Sequence, residues 1–316
     1  VVNLLDGDLA MPAIYGRELS AEEIRSRFEE AGRKPAEGEG VLACWPLAEE
    51  RGERIADVSG NRRHGRIVNC ATWMIGGPGF DGTKVPRYGD YDPARDARRG
   101  HGLRFASDDL YDCRWKVTHE YDIPKTARSG LYVGRFRFEI DGVPRLYDAT
   151  FVVKKPDDAP KAPILMIAST NSWLAYKATP FAINPPGLHY HWGTSGIANG
   201  SGNPPAYCMY RNHHAGQPAY KVGVHTPWPN AGPYVLYAAG GSGYSHLVRA
   251  ERFALAWLEK SGYDYDMVGD LDVHRNPGLL SDYKVVVING HGEYWSGEAY
   301  EGLDRYLCGG GNMVVL

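Results

Sequence analysis

One segment near the end of the chain, residues 283–307 with the sequence YKVVVINGHGEYWSGEAYEGLDRYL, constrains the fold more than any other. Its apolar, β-branched run at residues 285–288 is typical of a strand that is buried on both faces of a parallel sheet. The run stops at Asn289 and Gly290, a strong turn signal, and Ser296 then stands where the N-cap of a helix is expected. The segment therefore predicts a strand–loop–helix unit of an α/β sheet.

The loop of this unit carries side chains that are capable of chemistry. His291, Glu293, Tyr294 and Trp295 follow the predicted strand directly, and open α/β sheets bind their ligands at the carboxyl ends of their strands. Two interpretations are equally consistent with this pattern. Either the loop forms a functional site, or His291 and Glu293 are solvated loop residues and Trp295 covers the core.

The composition excludes several classes of protein. The chain has 316 residues, 43% of them hydrophobic, and a formal net charge of −3. Its size and hydrophobic content suffice for two domains, and its charge does not indicate nucleic acid or a membrane as a partner. No apolar run approaches the roughly 20 residues of a membrane-spanning helix. The five cysteines lack a C-x-x-C motif, which favours free thiols and a cytoplasmic location, with a Cys44–Cys70 disulfide as the alternative.

Residues 1–100 show the short strand patterns and Gly/Asn turns of a β-sandwich. An S-x-x-E capping box at Ser20 and Glu23 predicts a short helix that extends to about Glu30. The segments IYGRELSAEEI and ACWPLAEERGERIADVSGNRRHGRIVN resemble the end and the start, respectively, of a laminin-G/concanavalin-like jelly roll. This resemblance implies a domain for packing, assembly or carbohydrate binding.

The rest of the chain divides into two parts. Residues 101–160 are predicted to form a β-rich connecting domain that ends in a charged, proline-rich linker. Its predicted strands are residues 115–118, 131–138 and 149–153. Residues 161–316 alternate strands and helices, beginning with an apolar run at 164–168 and including a helix that ends before Gly262. This alternation predicts a doubly wound, flavodoxin-like sheet of the glutamine-amidotransferase type.

Both ends of the chain are expected to be truncations. The first residue is Val1 rather than Met, and residues 312–316 have the pattern of a core strand that follows a helix and a triple-glycine turn. A sheet that stops at such a strand is incomplete. We therefore expect an α/β domain that is incomplete at its C-terminus, with further site residues beyond Leu316.

The predicted α/β domain lacks the nucleophile of an amidotransferase. No Cys or Ser stands between the strand at 285–288 and Ser296, and no G-x-S-x-G motif occurs. The candidates that remain are Glu293, His291 and tyrosines after the first strand and in a long stretch at about 177–243. A carboxylate with phenolates is a hard donor set, which suits Fe(III) better than Zn(II) or Cu(I). Because the chain has 21 tyrosines, ordinary packing is the alternative for most of them.

Several blocks of sequence together resemble one enzyme family. The blocks STNSWLAYKA, GYDYDMVGDLDVH and YKVVVINGHGEYWSGEAYEGLDRYLCGGGNMVVL are similar to the large (beta) subunit of N,N-dimethylformamidase and its relatives, and VTHEYDIPKTARSGLYVGRFRF is similar to the β domain of that family. The resemblance implies an amidohydrolase that converts N,N-dimethylformamide into dimethylamine and formate. It also implies a small accessory subunit and homo-oligomerisation of the large subunit.

The resemblance also implies which residues form the site. In this family two tyrosines and one glutamate hold a mononuclear iron, which implies Tyr176 and Glu293 as ligands of Fe(III) here. The second tyrosine corresponds to Tyr210, or alternatively to Tyr207, in a loop that departs from the family pattern. His291 corresponds to a histidine beside the ligands, and either His291 or the free oxygen of Glu293 is implied to shuttle the proton. The residues predicted to line the substrate pocket are Trp173, Trp295 and Asn171.

Two other functions are consistent with the sequence. The first is a non-catalytic carbohydrate-binding or scaffold protein, built from a jelly roll and a degenerate amidotransferase-like domain. The second is a zinc or manganese hydrolase, which is disfavoured because adjacent histidines do not readily point at one ion. Its ligands would be His189, His191, His213 and His214. Metal analysis discriminates among the three, since a binding module lacks the absorption band of ferric tyrosinate.

Overall fold

The computed structural model describes seven stretches of the chain: residues 5–68, 71–81, 99–107, 111–177, 221–228, 231–233 and 247–316. The chain divides into two compact units. The first comprises Val1–Tyr111 and Asn212–Lys221, and the second comprises Asp112–Arg211 and Val222–Leu316. The division into segments 1–100, 101–160 and 161–316 stays a prediction. None of the helices in these described stretches is long and apolar enough to cross a membrane.

The first unit is built from short antiparallel strands. These are β1 (Gly7–Leu9), β2 (Ala13–Tyr15), β3 (Val41–Cys44), β4 (Arg54–Ile55), β5 (Gly65–Arg66), β6 (Thr72–Met74) and β7 (Gly102–Phe105). They pair as β1-β7-β6, β2-β3 and β4-β5. The helix α1 (Ala21–Glu29) begins with the predicted capping box, in which Ser20 and Glu23 each accept a hydrogen bond from the other's N–H. The β-rich character is confirmed, and the jelly-roll assignment stays a prediction.

The second unit begins with an irregular segment and a long hairpin. Strands β8 (Gly130–Ile140) and β9 (Val143–Val153) pair antiparallel over their full length and contain the strands predicted at 131–138 and 149–153. The strand predicted at 115–118 is wrong, because residues 111–124 contain no regular structure and the Trp115 side chain is 63% exposed. Alternating residue types favour an extended backbone, but a strand also needs a neighbour to bond to.

A parallel sheet of four strands forms the centre of the second unit. Its strands are β10 (Ile164–Ala168), β11 (Tyr265–Gly269), β12 (Val285–Ile288) and β13 (Asn312–Val315). They lie in the order β11-β10-β12-β13. Counted along the chain, this is the order 2-1-3-4 that flavodoxin-like sheets share, with the switch point between β10 and β12. The predicted α/β character is confirmed, whereas the glutamine-amidotransferase assignment stays a prediction.

Helices pack on both faces of this sheet. The short helix α2 (Thr170–Ala175) follows β10, and α3 (Val248–Ser261) contributes Leu255 and Leu258 to the core on one face. The helices α4 (Asp270–Arg275) and α5 (Gly297–Cys308) contribute Val273 and Tyr306 to the core on the other face. As predicted, α3 ends at Gly262, whose φ of 75° is left-handed. The apolar faces of these helices thus fix β10 and β12 as buried central strands.

Candidate active site

The predicted site residues converge at the carboxyl ends of two neighbouring strands. β10 and β12 run parallel, with Ile164 opposite Val285 and Ile167 opposite Ile288. The strand order reverses between them, and open α/β sheets place their ligands at such a switch point. Tyr176 follows β10 through α2, and the loop of residues 289–296 follows β12. The topology therefore brings together residues that are far apart in the sequence.

Two glycines shape the loop after β12. Gly290 has a φ of 81°, in the left-handed region that other residues rarely adopt. At Gly292, a Cβ would stand 2.8 Å from the Cγ2 methyl of Ile288, so the loop can fold back onto its own strand only with glycine there. The Trp295 indole N–H then donates to the Gly292 carbonyl at 3.1 Å. The backbone conformation that positions His291 and Glu293 thus requires both glycines.

Three side chains of the predicted site are in contact. The Tyr176 hydroxyl donates to Glu293 Oε2 at 2.8 Å, and His291 Nε2 lies 3.0 Å from the same oxygen. The ring centroids of Tyr176 and His291 are 5.1 Å apart. Tyr176 is buried, whereas the side chains of His291 and Glu293 are 37% and 40% exposed. One carboxylate oxygen is therefore shared between a buried phenol and an imidazole that solvent can reach.

The helix α2 supports the loop through two hydrogen bonds. The Glu293 N–H donates to Ser172 Oγ at 3.1 Å, and the Asn171 side-chain amide donates to the Tyr294 carbonyl at 3.0 Å. Ser172 and Tyr176 are four residues apart and so lie on the same side of the helix. The backbone and the carboxylate of Glu293 are therefore both held by α2.

The two tryptophans of the predicted pocket have different surroundings. Trp173 is only 2% exposed, and its ring lies 6.5 Å from that of Trp228 in the core on the α3 face. Trp295 is half-buried and packs against the opposite core, beside α4 and α5. The pocket roles of Trp173, Trp295 and Asn171 stay predictions.

Several predicted residues lie outside the described stretches. These are the alternative second ligands Tyr207 and Tyr210, the histidines His189, His191, His213 and His214, and Cys70. The partner proposed for Cys70 in a disulfide, Cys44, is a buried free thiol.

Glu251 of α3 is a buried carboxylate that the sequence analysis missed. It is 3% exposed, and its Oε1 accepts hydrogen bonds from the Trp173 indole at 2.7 Å and from the Ser169 N–H at 3.2 Å. Burial, with a smaller contribution from the charge of Asp270, raises the pKa of Glu251 to about 8. The available signal was its position four residues before Leu255, on the face of α3 that packs on the core.

Asp270 is a second buried carboxylate that was missed. It directly follows β11, is 6% exposed and accepts a hydrogen bond from the Asn171 N–H at 2.7 Å. Burial raises its pKa to about 6. Because Asp270 stands at the carboxyl end of a parallel strand, the rule that indicated Glu293 also applied to it.

The oxygens that converge here fit a hard metal ion. Among the described residues, no three His, Cys, Asp or Glu side chains form a group able to hold a metal. Tyr176 Oη and Glu293 Oε2, however, are hard donors 2.8 Å apart, and an octahedral ion with metal–oxygen distances of about 2.0 Å separates adjacent oxygens by about this length. A phenolate and a carboxylate match Fe(III) by ligand softness. The second tyrosine ligand that the family resemblance implies, Tyr210 or Tyr207, lies outside the described stretches.

Comparisons with known proteins agree on one family. The family model described as "N,N-dimethylformamidase beta subunit-like, C-terminal" matches residues 79–316. Two similar proteins, from Alcaligenes sp and Paracoccus aminophilus, are both named N,N-dimethylformamidase beta subunit. Each is 27% identical to this chain over 343 residues, which cover 98% of the chain and 41% of the relative. The chain thus spans less than half of the length of these relatives.

Proposed function

Because the chain belongs to the N,N-dimethylformamidase beta subunit-like family, we propose that it carries metal-binding and proton-transfer residues of an amidohydrolase. The substrates are N-substituted formamides, and N,N-dimethylformamide gives dimethylamine and formate. The observation that carries the proposal is the contact of Tyr176, His291 and Glu293 at the switch point of the parallel sheet. The names of the two similar proteins support the same reaction.

Tyr176 and Glu293, together with Tyr210 or Tyr207, would hold one mononuclear Fe(III). The Tyr176 hydroxyl, which donates to Glu293 at 2.8 Å, has to lose its proton before both oxygens can serve as ligands. Burial of the Tyr176 ring fixes the position of its oxygen, while the exposed Glu293 side chain leaves room for substrate. When bound, the ion supplies Lewis acidity, which polarises the formyl group and lowers the pKa of water.

His291 is the proposed proton carrier. Its Nε2 lies 3.0 Å from Glu293 Oε2, and this contact orients the ring beside the ligand oxygens. An imidazole is suited to accept a proton near neutral pH. His291 takes the proton of the attacking water and returns it to the amine nitrogen as the C–N bond breaks. The products leave as a neutral amine and formic acid, which releases its proton to solvent to give formate, and the side chain is restored.

The active enzyme is proposed to contain further polypeptide. The two similar proteins are named as beta subunits, and the chain spans 41% of their length. We propose a small accessory subunit and self-association of the large subunit as the assembly.

The test of this function uses the intact natural polypeptide, purified with any subunit that accompanies it. Iron content and formate release from N,N-dimethylformamide are measured for the wild type, Tyr176→Phe and the control Tyr300→Phe. The Tyr176 substitution removes one ligand oxygen but keeps the buried ring, so we expect iron and turnover to be lost without unfolding. Tyr300 lies on α5 and is 58% exposed, and its variant should behave as the wild type.

Two results would overturn the proposal. One is wild-type protein that hydrolyses no formamide and contains either no metal, which would favour the carbohydrate-binding or scaffold alternative, or zinc, which would favour the zinc hydrolase. The other is a Tyr176→Phe protein that keeps its iron and its rate, which would exclude Tyr176 as a ligand.

A further inference from the structure

The first turn of α2 is capped by carboxylates from other elements. Its N-cap residue, Ser169, makes no capping hydrogen bond with its own side chain, although buried N–H groups at the start of a helix need acceptors. The Ser169 N–H donates to Glu251 at 3.2 Å, and the Asn171 N–H donates to Asp270 at 2.7 Å.

Glu251 contacts both segments that carry the site residues. On the β10 side, its Oε1 accepts from Ser169 and from the Trp173 indole. On the β12 side, its main-chain carbonyl accepts from the Asn289 side-chain amide at 3.3 Å, at the start of the loop. Because Glu251 and Asn289 are both buried, water does not compete for these bonds. One residue of α3 therefore ties the start of α2 to the start of the loop.

Asp270 secures α2 from the side of β11. Its Oδ2 accepts a hydrogen bond from the Asn171 N–H at 2.7 Å. The Asn171 side chain donates in turn to the Tyr294 carbonyl at 3.0 Å. A continuous chain of hydrogen bonds thus runs from Asp270 through α2 to the residue beside Glu293.

We propose that Glu251 and Asp270 are positioning residues, which fix the orientation of α2 and with it the placement of Tyr176 against Glu293. A helix of six residues does not hold an orientation on its own. Ser172 and Tyr176 both reach Glu293 from α2, so a rotation of that helix moves two contacts of the site together. The catalytic consequence rests on the proposed function, whereas the structural consequence does not.

The proposed role of Glu251 requires a hydrogen-bond acceptor at the position of its Oε1 atom. Its Oε2 makes no hydrogen bond within the described part of the chain. The side-chain amide in Glu251→Gln retains an oxygen for Ser169 and Trp173, whereas the aliphatic side chain in Glu251→Leu removes it. The difference between these two variants therefore isolates the hydrogen bonds from the volume of the side chain.

The first experiment measures backbone hydrogen exchange in the intact, metal-free protein. The peptides of interest cover residues 169–177 and 289–296. We expect Glu251→Leu to speed exchange in both by roughly tenfold, about the effect of one lost hydrogen bond, and Glu251→Gln to stay near the wild type. Over residues 169–177, Asp270→Leu should likewise speed exchange, and Asp270→Asn should stay near the wild type. The matched control is Glu301→Leu on α5, whose side chain is 56% exposed.

Equal exchange in Glu251→Leu and the wild type would overturn the proposal, as would equal acceleration in Glu251→Leu and Glu251→Gln. If Glu251→Leu does not fold, Trp173→Phe takes its place, because it removes the indole donor along with part of the ring volume. Unchanged exchange in that variant would overturn the role of the Glu251 acceptor.

The second experiment measures iron content, kcat and KM in the same proteins. We expect Glu251→Leu to lower iron affinity or kcat about 10–100-fold, as is typical for groups that orient metal ligands, with KM changed little and with recovery in Glu251→Gln. A wild-type kcat and iron content in Glu251→Leu would contradict the catalytic consequence. If the wild type holds no iron and hydrolyses no formamide, the proposed function fails, and the exchange measurement still decides the positioning role.

Discussion

Glu293 and His291 contact each other but are expected to respond differently to mutation. We expect Glu293→Ala to abolish both iron binding and turnover, because the proposed ligand is lost. We expect His291→Ala to keep the iron and lower kcat about 10–100-fold, the usual cost of a group beside the ligands. Iron per subunit and kcat provide the measurement, with His119→Ala, at an exposed histidine of the same unit, as the control. Equal loss of iron in the Glu293 and His291 variants would instead identify His291 as a ligand.

Glu251 should make the stability of the second unit depend on pH. Burial raises its pKa from 4.5 to about 8 and that of Asp270 from 3.8 to about 6. The folded chain therefore retains protons that the unfolded chain has lost. The contribution of these two groups to the free energy of unfolding is highest below about pH 4 and falls as the pH rises toward 8. Above about pH 7 Asp270 is largely ionised in both states, and Glu251 accounts for most of the decline between pH 6 and pH 8.

We therefore expect Glu251→Gln to remove a decline on the order of 2 kcal/mol between pH 6 and pH 8. Urea unfolding of the metal-free protein at these two pH values is the measurement. The control Glu301→Gln, at an exposed position of α5, should retain the decline. A pH dependence that is the same in Glu251→Gln and in the wild type would show that Glu251 does not titrate in this range.

The residues of the site differ in how far the sequence could predict them. Glu293 and His291 follow an unmistakable strand, so a local pattern identified them, and the family resemblance added Tyr176. Glu251 could not be identified in this way, because α3 carries apolar residues on its exposed side as well as on its buried side. Phe253 and Trp257 fit the helical spacing but are 55% and 60% exposed. Periodicity alone did not determine which side of that helix faces the core.

At the scale of the elements, the loop after β12 depends on the backbone of Gly290. Its φ of 81° is left-handed, and Gly310, after α5, has a similar φ of 89°. We expect Gly290→Ala and Gly310→Ala each to cost about 1 kcal/mol of stability, since a Cβ is strained in this region. Only Gly290→Ala should also reduce iron binding and kcat, because it displaces His291 and Glu293. Denaturation and kcat together distinguish the two effects, and equal kcat losses would contradict the expectation.

The elements themselves were predicted best where a strong signal marks their ends. The strand at residues 285–288 is followed by Ser296, which caps α5 by accepting from the Ala299 N–H at 3.2 Å, and α3 ends at its predicted glycine. The strand at 115–118 was predicted from alternation alone and does not form. The position of β10 between β11 and β12 agrees with the predicted flavodoxin-like strand order and could not be read from local patterns, which do not encode which strands become neighbours.

At the scale of the whole molecule, the site depends on contacts between distant residues. The Tyr176–Glu293 hydrogen bond joins residues 117 positions apart, and the Trp173–Glu251 bond joins residues 78 positions apart. Periodicity acts over a few turns and carries no information on such pairs. The resemblance to a family pointed to the first pair because it implies that both partners are ligands. The second pair required the structure, since the resemblance did not include α3.

Removal of the metal is the prediction that concerns the whole molecule. Tyr176 and Glu293 both belong to the second unit, so iron that binds only the folded form should stabilise this unit and not the first. A ligand at 100 times its Kd contributes about 2.7 kcal/mol. Chelation should therefore increase hydrogen exchange in β10 and β12 and leave β3 and β7 unchanged. Tyr176→Phe should show no response to the chelator, whereas Tyr300→Phe should respond as the wild type. An equal response in Tyr176→Phe and the wild type would place the metal elsewhere.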